Sequence, residues 1–399
     1  MKRILIFSHA MEIGGAERAL LGILEAIDTK KYTVDIFLMR HSGELMKYIP
    51  KDVNILPEIS QYASLAVPIV NVLKKGQFKV AFGRVLGKWK AKQCVKTLKL
   101  PPDNDVELEY SHKYTLGAMP QIGNKEYDLA VSFLTPHYFV AAKVKARKKI
   151  AWIHTDYAMV KVDTESELKM WNRYDVIASI SDHVTKSFLK TFPSLRKKVQ
   201  VIGNIMPMRY MERLTTAYSV GKEMPDDGSV KLLSIGRFCA AKNFDNVPYI
   251  CKKLLASGLN VKWYLIGYGG DEQLIQQRIM ETGMEDHVIN LGKKENPYPY
   301  IRACDLYIQP SRYEGKCVSV IEAQILHKPV VITNYATSAS QLKDGYDGVI
   351  VPMDNESCAD GIAAVIRDKE LQQRLVANTK ENDYTNSGEI DKIYQLMEK

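Results

Sequence analysis

The chain has no long hydrophobic run, and this absence excludes a helical membrane span. Its most apolar stretch, residues 63–73, is interrupted by Ser64, Pro68 and Asn71, and it falls well short of the ~20 apolar residues that cross a bilayer as a helix. The opening run MKRILIF stops at Ser8 and lacks the apolar centre and cleavage site of a signal peptide. The sequence therefore predicts a cytoplasmic protein.

Closely spaced cysteines and a metal-binding acidic motif are also lacking. The six cysteines are scattered, and none forms a Cys-x-x-Cys pair, which argues against a disulfide framework and against a zinc site. Asp103-Asn104-Asp105 has the letters of an Asp-x-Asp motif, but it follows two prolines and is interpreted as a polar loop. We expect reduced thiols, no resident metal ion and no cofactor.

Acidic residues are missing from residues 59–102, although the rest of the chain has as many acidic as basic residues. The formal net charge of +9 therefore arises in this one segment. Apolar residues interleave with its cations, which is typical of a helix on an anionic membrane surface, but a solvated basic helix fits equally. Nucleic acid is a third possibility, although no binding motif accompanies the charge. The residues expected at a membrane are Lys74, Lys75, Lys79, Arg84, Lys88, Trp89 and Lys90.

The chain alternates short β-branched runs with longer segments of helical periodicity from end to end. With 399 residues it is too long for one core, and strand-helix-strand alternation predicts parallel, doubly wound α/β sheets. Pro207, Pro225 and a polar turn interrupt the pattern. The predicted division is a first domain over 1–205, a connector over 206–229, a second domain over 230–383, and a final helix within 384–399 that packs back on the first domain or elsewhere.

Ligands of open α/β sheets bind outside the carboxyl ends of the strands, and two such domains in series form a cleft. The first strand leads into Gly14-Gly15 at the start of a helix, where exposed amides favour an anion. In the second domain a strand ends at Gly236-Arg237, with Lys242 five residues further on. Arg and Lys on such a loop are placed to hold a diphosphate. A tight turn alone and a solvated surface loop remain the alternatives.

The most specific pattern is EGKCVSVIE, in which Glu314 and Glu322 are eight residues apart. A helix is predicted to begin near Val318 or Ser319, so that loop amides and the helix N-terminus face an anion while Glu322 accepts hydrogen bonds from a ribose. Alternatively, Ser319-x-x-Glu322 is a capping box that only fixes the helix start. Glu314 has no such local explanation.

These segments together resemble a known family. GGAERAL, WIHTD at residues 152–156, GRFCAAK, LIGYGGD and SRYEGKCVSVIEA closely resemble the retaining glycosyltransferases of family 4, which have the GT-B fold of two Rossmann-like domains. The resemblance covers nearly the whole chain, and bacterial members that build capsule, lipopolysaccharide or wall glycans are most similar. It implies a GT-B fold with the two domains facing a central cleft.

The resemblance also implies roles for individual residues. Arg237 and Lys242 would neutralise the diphosphate of a nucleotide-sugar donor, Glu314 would contact the donor sugar, and Glu322 would hold the ribose. His154 would lie next to the reacting sugar, although without the resemblance a structural histidine at a strand end is the favoured interpretation. The implied catalytic set is His154, Arg237, Lys242 and Glu314. The implied donor-binding set is Gly15, Gly236, Arg237, Lys242, Gly267, Gly269, Glu314, Gly315, Lys316, Cys317, Val318 and Glu322.

The sequence thus predicts a retaining, metal-independent transferase that moves a hexose or N-acetylhexosamine from a UDP-sugar to a glycan acceptor, lipid-linked, at the inner face of the cell membrane. Family members often have Glu-Gly-Phe-Gly at residues 314–317, where this chain has Glu-Gly-Lys-Cys, so the donor sugar stays open. No covalent nucleophile is assigned. The rival hypotheses are a nucleotide-sugar epimerase of the same architecture and a basic scaffold that binds membrane or RNA.

Overall fold

The computed structural model describes residues 1–12, 14–101, 104–158, 160–314 and 317–398. These residues form two compact units. Unit 1 comprises residues 1–207 and 386–399, and unit 2 comprises residues 208–385.

Unit 1 is built on a parallel sheet of seven strands in the order β3-β2-β1-β4-β5-β6-β7. The central strands are continuous apolar runs because helices cover both faces of a doubly wound sheet. The strands are β1 Lys2–Ser8, β2 Tyr32–Leu38, β3 Asn54–Ile55, β4 Tyr127–Ser132, β5 Ala146–Ile153, β6 Val176–Ser179 and β7 Val199–Val201.

Among the described residues, the α-helices that precede the chain's passage into unit 2 are α1 Gly15–Ala26, α2 Ser60–Ala63, α3 Ile69–Lys74, α4 Phe78–Leu98, α5 Val106–Thr115, α6 His137–Lys143, α7 Thr164–Trp171 and α8 Asp182–Thr191. The long basic helix α4 packs closely on α5. A Cβ atom on Gly83 or Gly87 would lie 2.7 Å from a backbone carbonyl oxygen of α5, so these two glycines permit the close approach. The basic segment is therefore one half of a helical hairpin.

Unit 2 contains a second parallel sheet, of six strands in the order β10-β9-β8-β11-β12-β13. Its strands are β8 Val230–Ile235, β9 Val261–Ile266, β10 Val288–Gly292, β11 Leu306–Gln309, β12 Val330–Thr333 and β13 Val349–Val351. Its helices are α9 Met208–Thr215, α10 Val247–Ala256, α11 Glu272–Thr282, α12 Tyr298–Ala303, α13 Val318–Ile325, α14 Ser338–Gln341, α15 Asn355–Arg367 and α16 Lys369–Glu381. The two parallel α/β sheets match the predicted fold class.

The segment predicted as a turn-rich connector differs from the prediction, because it contains helix α9 and belongs to unit 2. Helix α9 buries Tyr210, Met211 and Leu214, and the Tyr210 ring meets that of Tyr298 edge to face, with centroids 6.1 Å apart. Three apolar residues on one face suffice to dock an eight-residue helix. This helix was not predicted from the sequence, because its apolar pattern is short and the neighbouring prolines are typical of a connector.

The final helix, α17 Glu389–Glu398, belongs to unit 1. The Tyr394 ring stacks on that of Tyr32 with centroids 4.4 Å apart, and the Tyr394 hydroxyl accepts a hydrogen bond from the Asp28 amide at 2.8 Å. Glu389 Oε2 accepts another from the Gly203 amide at 2.7 Å. The sequence left the docking position of this helix open, and these contacts place it.

Unit 1 should lose stability in mild acid because His112 and His137 are buried as neutral bases. Burial lowers the pKa of each to about 3, and charge repulsion from neighbouring histidines adds to the effect. The unfolded chain, with the ordinary histidine pKa of 6.5, then binds more protons than the native state below that pH. The stability contribution is therefore present above pH 6.5 and falls as the pH decreases, by about 2 kcal/mol per histidine at pH 5.

The measurement is the urea midpoint of unfolding at pH 7 and at pH 5. The His112→Leu variant should show a smaller difference between the two pH values than the native chain, whereas the control His183→Gln, at an exposed position, should keep the native difference. An equal pH dependence in both variants would contradict the assignment.

Candidate functional site

Lys242 lies in the loop that follows β8, at the end of a single 3-10 turn, Ala240–Lys242. Its side chain folds back over the start of the loop, since a Cβ atom added to Gly236 would lie 3.0 Å from Lys242 Cε. The absence of a side chain at Gly236 therefore leaves space for the lysine stem. This arrangement carries the ammonium group toward the loop after β11.

Lys242 and Glu314 form a buried ion pair at this point. The distance from Lys242 Nζ to Glu314 Oε1 is 2.5 Å, and the side chains are only 17% and 10% exposed. Cys317 Sγ lies 3.8 Å from the same ammonium. Buried charges are costly unless they are paired and hydrogen-bonded, so this geometry indicates a prearranged polar site at the carboxyl ends of β8 and β11.

A chain of hydrogen bonds holds the Glu314 carboxylate from the strand side. The Tyr307 hydroxyl donates to Gln309 Oε1 at 2.9 Å, Gln309 Nε2 donates to Ser311 Oγ at 2.9 Å, and Ser311 Oγ donates to Glu314 Oε1 at 2.6 Å. These supporting residues were not predicted from the sequence. They could have been recognised there, because two polar residues, Gln309 and Ser311, stand at the end of an otherwise apolar strand.

The electrostatics of this group favour a charged lysine. Burial lowers the pKa of Lys242, but the neighbouring Cys317 and the Glu314 carboxylate more than offset this, so its pKa is raised above the ordinary value. Burial raises the pKa of Cys317, although Lys242 opposes that shift. The site therefore presents an ammonium, a carboxylate and a neutral thiol.

Helix α13 begins at Val318, as the sequence predicts, with Cys317 as its N-cap. The capping-box alternative is wrong, because the backbone N–H of Cys317 donates to Gln341 Oε1 at 2.7 Å and Ser319 Oγ donates to the carbonyl of Ile235 at 3.2 Å. Glu322 is buried and accepts a hydrogen bond from the Tyr298 hydroxyl at 3.0 Å.

The glycine turn after β9 has a packing explanation that the sequence analysis did not foresee. A Cβ atom on Gly267 would lie 1.9 Å from the carbonyl oxygen of Gly236, and one on Gly269 would lie 2.2 Å from that of Phe238. Gly269 also has a φ of +157°. Both glycines therefore hold the loops after β8 and β9 together, whether or not they also contact a ligand.

The predicted contact of Arg237 with the diphosphate stays a prediction. Arg237 is exposed, and it has no ion-pair or hydrogen-bond partner within the described part of the chain. Instead, Arg312 binds Asp245 with both guanidinium nitrogens, at 2.9 and 2.8 Å, and thereby fixes the loop after β8. The predicted contacts of Gly315 and Lys316 lie outside the described residues.

Two predicted site residues, Gly15 and His154, belong to unit 1 rather than unit 2. Gly15 is the first residue of α1, and a Cβ atom there would meet no described atom within 4 Å. His154 follows β5, and its ring lies 4.4 Å from the Phe133 ring. Burial lowers the pKa of His154 to about 4, partly offset by a hydrogen bond to the Phe133 backbone, so the imidazole is neutral at pH 7.

The basic hairpin presents a row of exposed apolar side chains. Phe78, Phe82, Val85 and Trp89 lie on one face of α4 and are between 53% and 69% exposed, because the spacing of three and four residues aligns them. Exposed lysines flank this row, whereas Lys88 also pairs with Glu107 at 3.2 Å. We call these four residues the apolar row of α4.

One predicted membrane contact is wrong. Arg84 turns toward the protein, where its Nη1 donates to the carbonyls of Ser64 at 3.1 Å and Val67 at 2.5 Å. Burial lowers its pKa. Arg84 therefore fixes the turns before α4 rather than facing a partner.

The described chain contains neither a candidate membrane-spanning helix nor a candidate metal cluster. None of its helices is both long enough and apolar enough to cross a bilayer. No group of three or more His, Cys, Asp or Glu side chains among the described residues is arranged to hold a metal ion.

Comparison with known proteins identifies relatives of this chain. The family described as Glycosyl transferases group 1 matches residues 220–382. A 4-alpha-N-acetylgalactosaminyltransferase from Campylobacter jejuni, named for N-acetylgalactosamine-N,N'-diacetylbacillosaminyl-diphospho-undecaprenol, is 24% identical over 56% of this chain and 58% of its own length. The lipopolysaccharide core biosynthesis glycosyltransferase LpsE of Rhizobium meliloti is 24% identical over 51% and 58%. The chain thus spans little more than half the length of these two relatives.

Solved structures with the same fold include Anabaena HepE in complex with UDP and glucose, with a TM-score of 0.58, 16% identity and full coverage of both chains. TarM has a TM-score of 0.63 and 14% identity, with coverage of 100% of this chain and 99% of its own. At this identity the likeness concerns the fold. The protein accordingly has the fold of two Rossmann-like domains that these structures share, and residues 220–382 match the family of glycosyl transferases group 1.

Proposed function

We propose that the protein is a retaining glycosyltransferase that moves a hexose or N-acetylhexosamine from a UDP-sugar to a lipid-linked glycan acceptor in bacterial surface polysaccharide synthesis. The observation that carries the proposal is the buried Lys242–Glu314 pair beside the N-terminus of α13, inside the family-matched region. The name of the Campylobacter relative supports a lipid-linked acceptor, and that of the Rhizobium relative supports a surface polysaccharide product. The UDP complex of Anabaena HepE supports UDP as the nucleotide.

Unit 2 binds the donor in this proposal, and unit 1 receives the acceptor. The Lys242 ammonium contacts the diphosphate. The N-terminus of α13 carries a partial positive charge, which attracts the same anion. Glu314, already fixed by Ser311, accepts hydrogen bonds from the donor sugar. Glu322 lies in the middle of α13, where the Tyr298 hydroxyl donates a hydrogen bond to it. In this proposal it also accepts hydrogen bonds from the ribose. The roles of Gly15 and His154 toward the donor stay predictions from the resemblance.

The reaction breaks the bond between the anomeric carbon and the departing phosphate oxygen. Negative charge grows on the diphosphate as that bond lengthens, and a fixed ammonium in a partly buried site lowers the barrier. The acceptor hydroxyl then attacks from the same face, and its proton passes to the departing phosphate oxygen. This step needs no covalent nucleophile, and Lys242 supplies the charge that a divalent metal supplies in other transferases.

The test is incubation of the full chain with a panel of UDP-sugars in EDTA, with and without undecaprenyl-diphosphate-linked glycans. We expect UDP release and a glycan product whose new linkage has the anomeric configuration of the donor, with activity unaffected by the chelator. Inversion of configuration would contradict retention, and full dependence on added Mg²⁺ or Mn²⁺ would contradict metal independence. An epimerised UDP-sugar without any transfer would identify the rival epimerase.

We further propose that the apolar row of α4 rests on an anionic lipid surface, at the cytoplasmic face of the membrane where a lipid-linked acceptor lies. Four exposed apolar side chains surrounded by lysines, with no acidic residue between positions 59 and 102, match the pattern of an interfacial helix. The lysine side chains favour anionic headgroups, and each lysine near the surface contributes about 1 kcal/mol to binding. The occupant is thus a membrane rather than a nucleic acid.

Binding to phosphatidylglycerol vesicles should depend on this row. The Phe82→Ser variant is expected to bind about tenfold more weakly, because burial of a Phe side chain contributes roughly 1.5–3 kcal/mol, and native Trp89 fluorescence should shift to the blue on binding. Met280→Ser, at a 56% exposed position of unit 2, is the control and should bind as the native chain does. Binding that is unaffected by Phe82→Ser, or preference for RNA over vesicles, would overturn this proposal.

A further inference from the structure

Unit 1 contains a cavity of about 150 Å³ that is open to solvent. Its walls come from α5, from α6 and the loop before it, from the end of β5 and from α7. Acidic, aromatic and histidine side chains predominate among the lining residues, whereas no lysine or arginine occurs among the described ones. In a chain with a net charge of +9, this cavity is locally acidic.

Three polar atoms on the wall of this cavity are buried without a hydrogen-bond partner among the described residues: Glu109 Oε2, Trp152 Nε1 and His154 Nε2. Glu109 is 7% exposed and Trp152 is 1% exposed. The large majority of buried polar groups in folded proteins have a partner, and leaving one unsatisfied costs about 1–3 kcal/mol. Glu109 Oε2 is an acceptor and Trp152 Nε1 is a donor, so together they indicate a ligand that can both donate and accept hydrogen bonds.

Glu109 is held in place by one of its two oxygens only. The Tyr138 hydroxyl donates to Glu109 Oε1 at 2.6 Å, which orients the carboxyl group and leaves Oε2 available. Lys113, one turn further along α5, donates instead to Ser166 Oγ at 2.6 Å. The nearest lysine on the same helix is therefore not the hydrogen-bond partner of this carboxylate.

Glu167 is the second carboxyl group of the wall. Its Oε2 accepts from the Tyr157 hydroxyl at 2.8 Å and from Trp171 Nε1 at 3.1 Å. Burial raises the pKa of Glu167 to about 7, and repulsion from Glu109 contributes to the shift. Burial likewise raises the pKa of Glu109, although the neighbouring Ser166 and Tyr138 hydroxyls and the charge of Lys113 oppose it. Within the described residues, Lys113 is thus a positive neighbour of Glu109, but it makes no ion pair with either carboxyl group.

We propose that this cavity binds a sugar that carries a free amino group, with the ammonium donating to Glu109 and Glu167 and a ring oxygen accepting from Trp152 Nε1. The inference rests on the proposed function, in which unit 1 receives the acceptor, and it assigns an amino sugar to the acceptor's reactive end. A ligand ammonium would pair directly with the two carboxyl groups, and it donates hydrogen bonds to carboxylate oxygens. Phosphate-bearing ligands are disfavoured by the same carboxylates.

The aromatic residues of the wall fit this ligand. Tyr138, Tyr157 and Trp171 all line the cavity, and aromatic faces attract a nearby cation as well as the apolar face of a sugar ring. A neutral hexose would satisfy the unpaired atoms but not the charge, and an N-acetylated sugar would replace the cation by a bulkier neutral amide. Charge therefore distinguishes the three candidate ligands.

The experiment measures binding of methyl glycosides to the full-length protein by calorimetry at pH 7. The probes are the 2-amino-2-deoxy glucoside and galactoside, their N-acetylated forms, and the corresponding neutral hexosides. We expect one free amine to bind at least tenfold more tightly than its N-acetylated and neutral counterparts. Absence of saturable binding by both amines, or equal binding by the N-acetylated or neutral forms, would overturn the inference.

Isosteric variants locate the site. Glu109→Gln and Glu167→Gln should each weaken amine binding about tenfold while they leave UDP binding unchanged. The control is Glu107→Gln on the same helix, where the side chain is 57% exposed and pairs with Lys88, and it should bind the amine as the native chain does. Equal affinity in all variants would place the amine elsewhere and contradict the proposal.

The same samples separate this inference from the proposed function. UDP binding and UDP release from a UDP-sugar are measured in parallel. If UDP binds while the amines do not, the amino-sugar inference fails and the transferase proposal stands. If UDP fails to bind, the proposed function itself fails.

Discussion

The Lys242→Met variant should lower kcat/KM for the nucleotide sugar by about 10²–10³-fold, the typical loss when one preorganised charge stabiliser of a transition state is removed. Methionine keeps most of the length of the side chain and its packing over Gly236, but it removes the ammonium 2.5 Å from Glu314. Because the diphosphate charge grows during bond cleavage, kcat should fall along with donor affinity. Steady-state kinetics with the donor that the UDP-sugar panel identifies measures both.

A matched control and a stability measurement show whether the lower activity of Lys242→Met arises merely from a lost charge in unit 2 or from unfolding. Lys252→Met, at an exposed position of α10, removes the same charge from unit 2 and should keep full activity. Lys242→Met also leaves Glu314 buried without its cation, which should cost roughly 3 kcal/mol of unfolding free energy, and the added change Glu314→Gln should restore part of it. A kinetic loss no larger than that of Lys252→Met would contradict the role of Lys242.

Gly267→Ala should be among the most destabilising single-methyl changes in unit 2, at about 3 kcal/mol. The new Cβ would lie 1.9 Å from the Gly236 carbonyl oxygen and 2.8 Å from the Phe238 ring. To remove this steric clash, the loop after β8 would have to move away from the loop after β9. Since Lys242 is carried by the former loop, donor binding should weaken together with stability.

Gly270→Ala, three residues further along the same turn, serves as the control. A Cβ atom there meets no described atom within 4 Å, and its φ is not positive, so replacement should be neutral or slightly stabilising through the unfolded chain. Urea unfolding monitored by fluorescence of the buried Trp263 reports on unit 2. Similar midpoints for the two variants would contradict the packing explanation of Gly267.

The fold was predictable because its signal is strong and local. Buried parallel strands such as β1, β8 and β12 are continuous apolar runs bounded by turn residues, and the alternation with helices dictates two doubly wound sheets. Short helices were harder. Helix α9 has only three buried residues between prolines, and its burial depends on Tyr298, which lies almost ninety positions away in the sequence.

The donor-side cluster was predictable in part. The rule that parallel strands present their carboxyl ends at one edge predicted that Lys242 and Glu314 act together, and the structure brings them into contact. The same rule gave no information on side-chain direction, so the sequence could not show that Arg237 is exposed, and its contact with the diphosphate stays a prediction. It also could not distinguish a glycine required by a ligand from one required by packing, as at Gly267.

The acidic cavity of unit 1 could not be read from the sequence. Glu109 and Glu167 lie on different helices, and neither belongs to a motif with a recognisable spacing. Ordinary amphipathic helices carry glutamates at many positions, and only the three-dimensional packing distinguishes these two as buried. His154 was singled out by the resemblance alone, and the structure adds that it lines the same cavity.

The central claim is that protein cations of unit 2 hold the donor's diphosphate, and calorimetry with UDP and with uridine in EDTA tests it most directly. Uridine lacks the diphosphate, so the ratio of the two affinities isolates the contribution of that group. The account predicts a strong preference of the native chain for UDP and a reduction of that preference by about 10- to 100-fold in Lys242→Met, the equivalent of one charge-assisted hydrogen bond. Equal binding of UDP and uridine by the native chain, or an unchanged ratio in the variant, would contradict it.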